Sequence, residues 1–178
     1  MTLCSMLFIV LVANWYGVRT GILVGFTYGM LQFLQEPYVL SLFQVCCDYV
    51  LAFAALGVAG FFAKQKNGLL KGYIVAVLAR GAFHALGGYL YWMDYMPDNF
   101  PKSLAAVYPI AYNYSFLLAE GLITIVIISI PAVQKALGRV KKIAVEIKRK
   151  TTTVRFLGNF TVVCFYKVRR FNKISLIG

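Results

Sequence analysis

Charge is what this chain has least of, at least until its last quarter. Of 178 residues only 13% are charged, six are Asp or Glu and one is His, whereas 61% are hydrophobic. A mean hydropathy of +0.74 lies far outside the range of soluble domains, so an integral membrane protein is expected. Cysteine is sparse too: Cys4, the adjacent Cys46 and Cys47, and Cys164 show no metal-ligand spacing and read as helix filling. There is no G-x-x-x-x-G-K-[ST] loop, which excludes a built-in ATPase of that type. No nucleophile–base pattern suggests an enzyme, and no cofactor or metal is implied. Sequons at Asn113 and Asn159 fall in a predicted span and in a predicted cytoplasmic tail, and read as chance.

What is present is a series of apolar segments, roughly 2–13, 17–33, 39–62, 69–92 and 107–137. Crossing about 30 Å of hydrocarbon takes about 20 helical residues. The first segment is too short to cross unaided and reads as the remainder of a helix; it lacks the basic start of a signal peptide. The expected fold is therefore all-α, a polytopic membrane helical bundle of about five transmembrane helices over residues 1–136. A basic tail follows over 137–178.

The formal net charge of +12 is unevenly spread. Residues 1–134 hold six basic and five acidic side chains; residues 135–178 hold twelve basic ones against Glu146 alone. Such a flank stays inside the cell. Counting back from a cytoplasmic C-terminus puts Arg19, Lys64, Lys66 and Lys71 at the inner side, and Glu36, Asp94, Asp98 and the single Lys102 outside. Residues 135–150 read as a basic helix against anionic membrane lipid, at about 1 kcal/mol per basic residue. That setting calls for no nucleic acid.

Against this apolar background a few polar groups stand out. Asp48 lies inside an otherwise apolar run, where an ionised carboxylate is costly unless it faces a partner or a polar cavity. Gln44 and Asp48 share a helical face, with Tyr49 beside them and Tyr38 at the helix mouth. The next segment carries His84, then Gly88 and Trp92 at four-residue steps; the last carries Tyr108 and Asn113. At 1.5 Å per residue Asp48 lies ~15 Å, His84 ~12 Å and Asn113 ~8 Å below the outer ends of their helices. If these helices are neighbours, one outward-facing pocket results. A carboxylate among aromatics suits a flat organic cation, since cation–π contacts reach ~2 kcal/mol or more when desolvated. Structural roles compete: Asp48 can serve Gln44 or a tyrosine, Trp92 an interfacial belt, and Gly57, Gly60, Gly87 and Gly88 close helix packing. Glu120 is paired only by conjecture, with Arg80.

The run from Gly21 to Gly25 through Tyr28-Gly29, then Ser41-Leu-Phe-Gln44 through Asp48-Tyr49 and Ala55-Leu-Gly57-Val-Ala-Gly60, then His84 through Gly88 to Trp92, and Tyr108 through Asn113 resembles the thiamine-specific substrate-binding (S) components of energy-coupling factor transporters. The resemblance covers about residues 1–136. It implies a six-helix membrane protein that captures thiamine from outside, working with a membrane scaffold subunit and two cytoplasmic ATPase subunits in a bacterial cell membrane. It further implies that Asp48, Tyr49, His84, Trp92, Tyr108 and Asn113, with Tyr38, line the thiamine pocket, and Gly88 falls within the matched block. The family's first helix has no counterpart here, and Asp48 stands where one branch of the family has Glu. An S component for another vitamin, or a small proton-coupled carrier of organic cations using Asp48, are the alternatives.

Overall fold

The computed structural model describes residues 5–91, 93 and 96–174, with side chains as far as Thr152. Among these residues every regular element is a helix: α1 (Ser5–Tyr16), α2 (Val18–Gln35), α3 (Leu42–Phe62), α4 (Gly68–Tyr91), α5 (Tyr108–Ser129, entered through a 3-10 stretch Lys102–Val107) and α6 (Pro131–Ile174). The chain divides into two compact units, Met1–Gln134 and Lys135–Gly178.

Among the described residues, three helices are long and apolar enough to cross a membrane: Leu42–Phe62, Gly68–Tyr91 and the stretch Lys102–Ser129. The other two expected spans fall short of that standard for different reasons. α1 has 12 residues, or ~18 Å of rise. α2 has 18, but Arg19, Gln32 and Gln35 dilute its apolar character. Gly17 separates the two with a φ of 97°, a backbone conformation that glycine adopts at little steric cost.

The last predicted segment, 107–137, is not continuous. Ile130 is extended at φ −65°, ψ 124°, because the proline that follows disfavours helical geometry in the residue before it. Pro131 then starts α6 at the first-turn position where its missing N–H costs nothing. The basic helix thus begins six residues before the expected boundary.

In the first unit α3 is the hub, packed by α1, α2 and α4; α1 also meets α4, and α5 packs on α4. Backbones approach closely because small residues line the contacts. Gly21, Gly25 and Gly29 are the buried residues of α2, four apart on one face, and a Cβ on each would strike α1 or α3 backbone or side chain. Met6, Val10, Leu56, Ala59, Tyr73 and Leu117 fill the interior. Large apolar side chains such as Leu23, Leu42, Phe61 and Val126 point outward, as expected where the solvent is lipid rather than water.

α3 is irregular where it matters. Ser41 caps it, accepting the Gln44 backbone N–H at 3.1 Å. Cys46–Leu51 forms a π-helical turn, and Ala55–Phe62 tightens to 3-10 geometry. π-turns of this kind occur often at functional sites, and this one contains Asp48.

Candidate functional site

Starting α3 at Leu42 rather than near residue 39 raises Asp48 toward the helix mouth, to about six residues or ~9 Å from its start. His84 is then seven residues from the end of α4, and Asn113 five from the start of α5. All three lie at one level, at the same end of the bundle.

Asp48 is held on both carboxylate oxygens. Gln44 Nε2 donates to Oδ2 at 2.8 Å, and His84 Nδ1 meets Oδ1 at 3.0 Å. Gln44, almost fully buried, is itself fixed, since its Oε1 accepts the Leu40 backbone N–H at 3.2 Å. Each hydrogen bond to a charged group contributes about 1.5–3 kcal/mol, enough together to offset the ~2.5–3.5 kcal/mol that insertion scales assign to a mid-membrane aspartate.

Arg80, one turn from His84 on α4, extends the network. Its Nε donates to His84 Nε2 at 3.3 Å, and its guanidinium lies 4.2 Å over the Phe53 ring of α3. An arginine can only donate, so His84 Nε2 must accept. The proton therefore sits on Nδ1, pointed at Asp48, and His84 is the neutral Nδ1–H tautomer. Arg80 is buried, and its Nη1 has no hydrogen-bond partner. The conjectured Arg80–Glu120 ion pair does not form: Glu120 Oε1 accepts Ser5 Oγ at 3.4 Å, although its charge lies near enough to act on Arg80.

Two adjacent glycines of α4 admit the neighbouring helices. A Cβ on Gly87 would lie 3.0 Å from Asp48 Oδ1, and one on Gly88 2.9 Å from Asn113 Nδ2. Asp48 and Asn113 thus flank the glycine face of α4, one helical turn from His84. Asn113 Nδ2 donates to Pro109 O on its own helix at 2.8 Å, and Phe116 sets its ring edge toward His84 at 6.4 Å.

The predicted tyrosines take other partners. Tyr49 donates its hydroxyl to Glu36 O at 2.9 Å and meets Phe33 edge-on at 5.2 Å, pinning α3 to the end of α2. Tyr108 packs between Phe100 and Tyr112, at 5.0 and 5.9 Å. Tyr38 lies in the exposed stretch before α3. Trp92 lies outside the described residues. The structure thus unites Asp48, His84, Gly88 and Asn113, and adds Arg80 and Gly87. Arg80 had a signal in sequence, its four-residue spacing from His84.

Apolar helices around a small charged cluster near one end define a polytopic membrane protein. Residues 1–138 match the family described as Thiamine transporter protein (Thia_YuaJ), and the chain belongs to that family; it is a transport protein rather than an enzyme. It is 28% identical over 139 residues to the thiamine transporter ThiT of Bacillus subtilis (strain 168), covering 67% of this chain and 68% of that one. A solved structure of ThiT from Listeria monocytogenes superposes with a TM-score of 0.58 at 22% identity, covering 71% of this chain and 78% of the other. That likeness shows a shared helical fold.

Proposed function

We propose that this chain is the thiamine-capturing S component of an energy-coupling factor importer, with Asp48 as the group that receives the ligand's positive charge. The observation that carries it is the Asp48 carboxylate, fixed by Gln44 and His84 at the level of Asn113. Charge balance supports a cationic ligand. Away from their ends, the membrane-capable helices hold Asp48, Arg80 and Glu120, which sum to −1. Thiamine carries one permanent positive charge and brings that sum to zero.

In this arrangement Asp48 and Asn113 recognise the polar and charged groups of thiamine. His84, neutral and held in plane by Arg80 and Asp48, offers a ring surface, and Trp92, eight residues further along the sequence, is assigned a second. Tyr38, Tyr49 and Tyr108 belong to the rim. Capture is from outside, in the cell membrane, with the C-terminus in the cytoplasm. A membrane scaffold subunit and two cytoplasmic ATPases supply the energy to reorient and release the ligand.

The test is calorimetric titration of thiamine into the purified full chain and its Asp48→Asn variant. The wild type should bind, and the variant should bind on the order of 100-fold more weakly, because one partner of a buried charge pair is worth 2–5 kcal/mol. Absence of thiamine binding to folded wild type would overturn the ligand; equal affinity in the variant would overturn the role of Asp48.

A further inference from the structure

The second unit presents a surface that thiamine capture does not use. From Lys135 to Lys150, α6 is continuous helix, and a turn of 3.6 residues sorts its side chains cleanly. Ala136, Leu137, Val140, Ile143, Ala144 and Ile147 fall within an arc about 120° wide, the width of an apolar face that must be buried. Lys141 and Lys148 flank this arc on one side, Arg139 and Lys150 on the other, and Lys135, Lys142 and Arg149 lie opposite; Val145 alone breaks the pattern. Residues 135–152 hold seven basic side chains against Glu146, a net of +6. Glu146 is already paired with Lys150 at 3.1 Å. On the arc, Val140 is 47%, Ile143 59% and Ile147 58% exposed.

We infer that α6 is a membrane-surface helix that docks on anionic phospholipid of the leaflet where α5 ends. Three observations favour that occupant. Pro131 follows the end of the Lys102–Ser129 stretch after a single residue, so the basic stretch starts within reach of the headgroups. The flanking lysines and arginines sit where an interfacial helix places them, at the boundary between apolar face and water. A second copy of the same helix is disfavoured, because pairing two such faces brings same-sign flanks together. The inference holds whatever the bundle binds.

The test uses the full chain with its four native cysteines replaced and an environment-sensitive bimane label at Ile143→Cys or, as the polar-face control, Lys142→Cys. Protein is placed singly in nanodiscs of phosphatidylcholine alone or with phosphatidylglycerol. The Ile143 label should shift to the blue only with phosphatidylglycerol and return in high salt, while the Lys142 label stays unchanged. Each of Lys141→Gln and Lys148→Gln should weaken that docking about fivefold. Identical spectra in both lipids would overturn the inference. So would a blue shift that follows the number of copies per disc rather than lipid charge, which would make the occupant another chain.

Discussion

The two walls that meet at the glycine face of α4 are built differently. On the α3 side, Leu40, Gln44, Asp48, His84 and Arg80 form one hydrogen-bonded chain, with Phe53 under the guanidinium. On the α5 side, Asn113 bonds its own helix, and Tyr108, Tyr112 and Phe116 make only ring contacts. The first wall is locked before any ligand arrives; on the second, Asn113 can turn without breaking an interhelical bond. A locked charge and an adjustable amide suit a site that fixes a cation by its charge and fits the rest of the molecule afterwards.

Substitutions on the two walls should therefore separate affinity from stability. The largest contrast is Asp48→Asn against Asn113→Ala. The first should weaken thiamine binding about 100-fold, the second about tenfold, one good hydrogen bond's worth, with thermal stability changed little in the Asn113 variant. Arg80→Met comes next. It leaves His84 Nε2 a buried acceptor without a donor, a cost of about 1–3 kcal/mol, so both melting temperature and affinity should fall. If affinity falls without any loss of stability, Arg80 does not belong to the locked wall.

A smaller and more pointed comparison uses neighbouring residues. Gly87→Ala presses a methyl against the immobile Asp48, and overpacking typically costs 1–3 kcal/mol. Gly88→Ala presses on Asn113 and Pro109, where the amide can turn aside. Calorimetric unfolding should rank Gly87→Ala as the more damaging, and the reverse order would contradict the assignment of the walls. Least of all, Tyr49→Phe removes the bond to Glu36 O at a cost of about 1 kcal/mol, with thiamine affinity kept within a few fold.

Some of this was visible in the chain itself. A lone carboxylate in an apolar run, the single histidine and an asparagine in a third span carry large desolvation costs, and that cost marks them. The all-helical membrane fold follows from the same scarcity of charge. The tyrosines were harder, because an aromatic ring is equally at home in a pocket, a helix contact or an interface; Tyr49 and Tyr108 proved to have partners outside the Asp48 cluster. Arg80 was visible but assigned to Glu120, since opposite charge is an easier signal than the i,i+4 spacing that gave it His84. The π-turn at Cys46–Leu51 has no sequence signature and emerges only from packing. Pro131 did announce a break, but the apolar run across it hid where α5 ends.

Because the chain has one histidine, a ¹⁵N-histidine spectrum reports on a single side chain at the centre of the cluster. The free protein should show a neutral ring protonated at Nδ1, and saturating thiamine should move both ring resonances, with Asp48→Asn suppressing the response at the same concentration. A proton on Nε2, or resonances that stay put while thiamine binds, would place the ligand away from His84 and contradict the site described here.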